Sequence, residues 1–433
     1  MLNRRFSGFS QTLLKPGMVE MSTTHYFRDT CRLCGSRNLE IALHYVPTPP
    51  ADAYVPIEAA DLVQEVFPLD LYLCHDCGFS QVSDVIRADS IYVDYIYETK
   101  SSLGLVDHFK RYADAVVDQY SPPPGALVID LGSNDGTLLR FFKERGLNVL
   151  GIDPARDIAL EATKAGLETL PDFFTSELSH RIRSERGPAA IITANNIYAN
   201  VDKLGDFTDS IRDLLAADGV FIFESYYLSD LIKNMVFDFI YHEHLSSFSV
   251  KPLVGFFQRH GMELIDAQRV PTKGGSLRYT AQLAGGPRPV SPRVAELLIE
   301  EERDAISRIE TFKAFSTRIE AAKQELRAML TTLKQEGKTI AGYGAAATTT
   351  TLIYHFGLGD FLSYLVDEYS RKQNVLSPGL HLPVLSPQTL IDRKTDYVVI
   401  IAWRYVQPIV DKNRAYLDQG GRFIVPLPKL EII

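Results

Sequence analysis

The stretch Leu127–Pro154, LVIDLGSNDGTLLRFFKERGLNVLGIDP, constrains this chain more than any other. It opens on Leu127-Val128-Ile129, an apolar run too short for a helix and rich in β-branched residues, which predicts a buried parallel strand. Asp130 stands at the strand's carboxyl end, followed by Gly132-Ser133-Asn134-Asp135-Gly136. Thr137–Arg145 then carries Leu138, Leu139, Phe141 and Phe142 on helical spacing, and Gly146 ends it. A second apolar run, Val149–Ile152, finishes on Asp153. Strand, glycine-bearing turn, helix and strand with a terminal acid form the opening unit of a nucleotide-type α/β fold.

The residue types in that unit narrow its ligand. Glycines let a ligand lie against bare backbone, and an acid at the end of the second strand can accept hydrogen bonds from a ribose diol. The turn G-S-N-D-G is not the G-x-G-x-x-G of dinucleotide sites. Asp130 and Asp135 would repel a pyrophosphate, whereas they suit a ligand with positive charge, such as the amine and sulfonium of S-adenosylmethionine (SAM). The expected SAM contacts are Asp130, Gly132, Asn134, Asp135, Gly136 and Asp153. Asn196 joins them from Ala194–Asp202, ANNIYANVD, which follows the strand run Ala190–Ala194, at the end where such sheets bind ligands.

The cysteines mark a second unit. All four lie in the first 80 residues, as Cys31-x-x-Cys34 and Cys74-x-x-Cys77. Two such knuckles match a tetrahedral structural zinc site, and four thiolates would leave no open position for catalysis. Disulfides or redox pairs are the alternative, disfavoured by the lack of a secretory signal or a βαβ pattern around either pair. Val66–Leu73 alternates like a strand that delivers Cys74. The N-terminus, MLNRRFSGFSQTLLKPGMVEM, has arginines but no long apolar core or cleavage site, and is expected to be a disordered extension.

Charge and hydropathy exclude several function classes. A net charge of −9 argues against a nucleic-acid partner, which demands a basic face. No apolar run approaches the roughly 20 residues of a membrane span, so a cytoplasmic enzyme is expected.

Farther along, Phe237–Ser249 reads FDFIYHEHLSSFS, and Tyr241, His242, Glu243 and His244 concentrate proton-transfer groups near the expected ligand edge. Lys273-Gly274-Gly275-Ser276-Leu277-Arg278 predicts a turn with two cations, a candidate anion cradle. Pro292–Gln335 has the period of amphipathic helices joining two lobes. A second strand–turn–helix unit follows: Thr339–Tyr343, then Gly344-Ala345-Ala346-Ala347-Thr348-Thr349-Thr350-Thr351, with Tyr364–Asp367 again ending on an acid. Small residues there suit a phosphate at a helix N-terminus, or close helix–sheet packing alone.

Together these pieces resemble the three-domain sugar C-methyltransferases of deoxysugar biosynthesis. The resemblance runs from about Cys31 to the C-terminus. It comprises the paired CxxC module, the tyrosine segment Ile91–Tyr97, Ile129–Thr137, Phe237-Asp238 with Tyr241-His242-Glu243-His244, Gly274–Arg278, Gly342–Ala346, Val366-Asp367, Pro378-Gly379 and Ala402-Trp403. Such enzymes methylate a carbon beside the ketone of a nucleotide-linked 4-keto-6-deoxysugar. The resemblance implies that His244 is the base, with Glu243 beside it to orient it or stabilise its charged form. Tyr241 and Tyr97 then face the substrate, and Lys273, Arg278, Tyr343 and Lys372 contact it. The family often has His where this chain has Asn200 and Lys273, and Lys-Gly where it has Thr348-Thr349.

The expected fold class is α/β, with a central Rossmann-like SAM methyltransferase domain, a small N-terminal zinc-binding module and a C-terminal Rossmann-like domain. The expected boundaries are 1–25 for the extension, 26–97 for the zinc module, 98–284 for the SAM domain, 285–337 for the bridging helices and 338–433 for a C-terminal domain that binds an NDP-sugar. Cys31, Cys34, Cys74 and Cys77 would hold structural Zn2+, and the protein would be a monomer or weak homodimer. Two rival functions stay open: a sugar O- or N-methyltransferase, and a non-catalytic paralogue of the same fold.

Overall fold

The computed structural model describes residues 24–92, 98–101 and 104–433. At its centre a seven-stranded sheet runs in the order Met262–Val270, Ser276–Leu283, Leu215–Tyr226, Ala189–Thr193, Leu127–Leu131, Asn148–Ile152, Thr169–Leu170. The strands from Leu215–Tyr226 to Thr169–Leu170 are parallel, and Ser276–Leu283 runs antiparallel between its two neighbours. Leu127–Leu131 thus lies inside the parallel part, buried on both faces, which is why it reads as an unbroken apolar run.

The helix Leu105–Tyr120 covers one face of this sheet. Leu105, Phe109, Tyr112, Ala113 and Val116 fall on its inner stripe and pack with Leu138, Phe141 and Phe142 of the helix Thr137–Glu144. A fully buried phenylalanine such as Phe142 contributes roughly 1.5–3 kcal/mol through burial. Two further helices, Pro292–Arg303 and Ile309–Gln335, follow the sheet where sequence period placed them. The second spans roughly 40 Å at 1.5 Å per residue and buries Phe312, Phe315, Ile319, Leu326 and Leu330.

The N-terminal module is not self-contained. Its sheet orders Leu39–Leu43, Leu71–Cys74, Ser80–Val82 and then Ser246–Ser247, a strand supplied by the central domain immediately after Tyr241–Leu245. Its segment Val55–Pro56 in turn pairs with Val375–Leu376 at the edge of the C-terminal sheet. That eight-stranded sheet runs Glu431–Ile432, Arg422–Val425, Tyr397–Ile400, Ile340–Tyr343, Leu365–Val366, Pro383–Leu385, Val375–Leu376, Val55–Pro56. A separate two-stranded sheet pairs His25–Phe27 with Asp84–Ile86. Residues 1–23 of the expected extension lie outside the described residues. No described helix is long and apolar enough to cross a membrane.

Candidate active site

Strand register assembles one wall of the site. Pairing of Thr193 with Asp130 lets the Thr193 hydroxyl donate to Oδ1 of Asp130 at 2.6 Å. Burial, reinforced by nearby Asp153, pushes Asp130 up to about 7 against the pull of that hydroxyl. Asp153, at the end of the next strand, accepts from the Asn134 amide at 2.8 Å through Oδ2 and from the Ala155 amide at 2.9 Å through Oδ1. Each oxygen keeps a lone pair for a ligand, which fits a vicinal diol. Gly132 sits at φ 71°, and a Cβ there would lie 2.5 Å from Cγ2 of Ile197, so only glycine fits this turn.

A cavity of about 330 Å³ opens over this turn. Asp130, Gly132, Ser133, Asn134, Asp153 and Asn196 line it from the central sheet. Ser133 Oγ and Asn200 Oδ1 are buried there without a hydrogen-bond partner among the described residues, as polar atoms awaiting a ligand would be. Two expected contacts are absent from its lining. Asp135 instead caps the helix Thr137–Glu144, taking the Thr137 amide at 3.1 Å and hydroxyl at 2.6 Å, and also accepts from the Lys100 amide at 3.0 Å. Gly136, at φ 74°, makes the turn into that helix. Short polar residues before an apolar helix are cap signals as readily as ligand signals.

The opposite wall comes from Tyr241, Glu243 and His244, which line the same cavity. His244 Nδ1 donates to the Phe239 carbonyl at 2.8 Å, and this fixes the tautomer whose Nε2 accepts the Tyr241 hydroxyl at 2.9 Å. Burial drives His244 down to about 3, so the ring is neutral. Both ring nitrogens are therefore taken, and the expected orienting role of Glu243 passes to Phe239 and Tyr241. Burial, with Asp52 nearby, pushes Glu243 up to about 8, although Lys372 and Lys273 pull it down. His242 turns away and donates to the Pro68 carbonyl at 3.0 Å. Tyr97 lies outside the described residues.

The expected substrate contacts divide. Lys273 lines the cavity. Arg278 does not: it lies in the strand Ser276–Leu283, opposite Glu224, bonds Glu224 at 2.8 Å and stacks 3.8 Å over Tyr112. Glu224 also hydrogen-bonds His108 at 2.7 Å, so a buried Arg278–Glu224 ion pair lies outside the cavity lining with His108 bonded to it. The two cations of the expected cradle are thus split, because strand alternation carries Arg278 away from the lining. Tyr343 lies elsewhere: its hydroxyl donates to Glu368 at 2.5 Å and its ring packs in the C-terminal core, outside the cavity lining. Lys372 pairs with Asp52 at 2.8 Å and the Ala345 carbonyl at 2.8 Å, also outside the lining, with its charge already matched.

Sequence reading missed Thr99, Phe109, Asn195 and Asp172-Phe173-Phe174 in the lining. Asp172–Phe174 follow the strand Thr169–Leu170, and position at a parallel strand's carboxyl end was the available signal. Thr99 had none: its amide and hydroxyl reach Asn134 Oδ1 at 2.8 and 3.2 Å across a contact no local pattern encodes.

A clamp from the C-terminal domain holds this wall. Arg404 Nη1 donates to both Asp238 oxygens at 2.9 Å, Trp403 Nε1 donates to Asp238 at 3.1 Å, and Arg404 stacks 4.6 Å over Phe239. In the helix Ala347–Phe356, Thr348 accepts from Arg404 at 3.0 Å and Thr351 donates to the Ile240 carbonyl at 2.9 Å. The Ala345 amide donates to Asp367 at 2.6 Å, so the small residues before that helix serve packing and internal bonding.

Cys31, Cys34, Cys74 and Cys77 converge, with all sulfurs within 4.8 Å of one another and the Cys31–Cys77 and Cys34–Cys74 pairs at 3.6 Å. Sulfurs on a tetrahedron at about 2.3 Å from zinc are roughly 3.8 Å apart, so the cage fits structural zinc.

Three family models match in order: a zinc binding domain over residues 31–92, a methyltransferase domain over 106–267 and a C-methyltransferase C-terminal domain over 271–428. The C-methyltransferase NovU of Streptomyces niveus is 33% identical over 406 residues, covering 94% of this chain and 97% of NovU. Among solved structures, a SAM-dependent methyltransferase of Clostridium acetobutylicum is 14% identical, covering 42% of this chain and 92% of its own, at a TM-score of 0.34. The CurJ carbon methyltransferase is 12% identical, covering 43% of this chain and 57% of its own, also at 0.34. The chain belongs to the family of SAM-dependent C-methyltransferases that includes NovU.

Proposed function

We propose that this C-methyltransferase removes a proton from the carbon beside the ketone of a nucleotide-linked 4-keto-6-deoxysugar and methylates the resulting enolate, in branched deoxysugar biosynthesis. The observation that supports this most is one cavity lined on one side by Asp153 and Gly132–Asn134 and on the other by Tyr241, Glu243 and His244. In this reading Asp153 takes the SAM ribose, and SAM supplies an electrophilic methyl group on its sulfonium.

His244 is the base. Its Nδ1–H is held by Phe239, so the basic lone pair stands on Nε2, where Tyr241 bonds it. The substrate proton passes to the Tyr241 oxygen as the phenol proton moves to Nε2, which leaves an imidazolium beside Glu243. Holding both reactants in one water-poor cleft contributes most of the acceleration. The enzyme works in the cytoplasm as a monomer or weak homodimer.

The test is a panel of dTDP-, GDP-, CDP- and UDP-linked 4-keto-6-deoxysugars in D2O. The expected outcome is methyl transfer to one nucleotide series, with deuterium entering the α-carbon when SAM is withheld. Methyl transfer without that exchange would point to O- or N-methylation, and no turnover on any sugar would point to a non-catalytic paralogue.

A further inference from the structure

We propose that Lys273 is the electrophile of this reaction: its ammonium donates to the ketone oxygen and carries the charge that builds there as the neighbouring proton leaves. The inference rests on the enolate reading above and assigns the one group that reading leaves unnamed, the donor to the oxygen.

The turn fixes where Lys273 sits. It sits at φ 54°, ψ 27°, in the left-handed region that ordinary side chains avoid, within Thr272–Gly274. Such a conformation persists only where its surroundings hold it. Here the Ser276 hydroxyl donates to the Thr272 carbonyl at 3.1 Å, the Asn234 amide to the Gly274 carbonyl at 3.3 Å and the Tyr227 amide to the Gly275 carbonyl at 3.3 Å. On the other side Gly274 lies so close to Arg404 that a Cβ would meet its Cδ at 2.9 Å. The clamp that fixes Phe239 therefore also backs the lysine turn.

The side chain points to a single-oxygen role. Lys273 shares the cavity lining with Tyr241, Glu243 and His244, and has no hydrogen bond or ion pair to another of the described residues. Its charge is felt by both Glu243 and His244. The other acid near it, Glu224, is already paired with Arg278 and hydrogen-bonded to His108. A diphosphate would call for several cations, yet Arg278 faces away and Lys372 is paired with Asp52. Beside the base the Tyr241 hydroxyl is committed to His244, whereas the unpartnered Ser133 Oγ stands on the opposite wall with the glycine turn. One unmatched ammonium beside the base, in a closed cleft, is what a developing oxyanion requires.

The electrons balance without a further reagent. The C–H pair becomes the enolate double bond, the carbonyl pair moves onto the oxygen bonded to Lys273, and the proton ends on His244. When the oxygen pair returns to reform the carbonyl, the enolate double-bond pair forms the new bond to the methyl carbon. The S–C bond breaks with its pair kept by sulfur as a neutral thioether, and Lys273 keeps its protons throughout.

The test measures deuterium entry at the α-carbon, with SAM withheld, in the 4-keto-6-deoxysugar that the wild-type enzyme accepts from the four-nucleotide panel. Lys273→Met and Lys273→Gln should lose exchange by about 10²–10³-fold at saturating sugar. Lys273→Arg, which keeps the charge, should retain a tenth or more of it. SAM binding by calorimetry should stay within a few-fold in all variants. Exchange at the wild-type rate in Lys273→Met or Lys273→Gln overturns the proposal, as does a raised sugar Kd with unchanged saturated exchange. A borohydride-stable adduct on Lys273 overturns it in favour of an imine. Absence of exchange in the wild-type enzyme on every sugar overturns the enolate reading instead.

Discussion

Burial raises Asp153 above its ordinary value, while the two backbone amides it accepts pull it back down and aim its oxygens. Asp153→Ala removes the proposed bonds to the SAM ribose, each worth roughly 1.5–3 kcal/mol to a charged acceptor. SAM affinity should fall on the order of a hundredfold by calorimetry, and unchanged binding would remove Asp153 from the site. A second prediction concerns pH. Glu243, at about 8, becomes a carboxylate only as pH rises, and that charge stabilises the imidazolium forming on His244. Lys273, lowered to about 8 chiefly by burial, loses its charge over the same interval. Exchange should therefore climb from about pH 6, peak near 8 and fall above it, while His244, at about 3, adds no limb in that range. Glu243→Gln should flatten the rising limb in a stopped exchange assay. At this scale the sequence was informative where chemistry is local: Asp130, Asp153 and the Tyr241–His244 run lie where residue type and strand end placed them. It was silent on partners, so nothing in it showed that Phe239 rather than Glu243 would orient His244.

Elements account for how the expected contacts divide. Lys273 and Arg278 read as one cationic turn because only four residues lie between them, two of them glycine. The strand Ser276–Leu283 begins between them, and its pairing of Arg278 with Glu224 carries the guanidinium out of the lining. Strand onset after Gly275 depends on the neighbouring strand Leu215–Tyr226, which no short window of sequence contains. The parallel strands and amphipathic helices were legible because their periods reflect burial directly, as in Leu105–Tyr120. The cysteine knuckles were legible for a similar reason, since spacing alone encodes their geometry. Cys34→Ser should lower bound zinc well below the one ion per chain expected of the parent, by metal analysis, and reduce the melting temperature.

At the scale of the whole molecule, Asp238 and Arg404 tie the central and C-terminal sheets together. Asp238 is fully buried and Arg404 nearly so. Asp238→Asn should leave the guanidinium uncompensated and cost about 3–5 kcal/mol in a denaturant titration. The exchange of strands between regions is a stronger tie, because it is made of backbone. Ser246–Ser247 completes the zinc module's sheet, and Val55–Pro56 completes the C-terminal one. For anyone recombining such enzymes, the covalent order of domains is then a poor guide to where to cut. A chimera that replaces residues 338–433 alone would set the donor's counterpart of Val375–Leu376 against a foreign Val55–Pro56, and a mismatch there would expose that edge to pairing with other chains. The exchangeable unit is discontinuous, and a graft of the C-terminal domain should bring its own counterpart of Val55–Pro56.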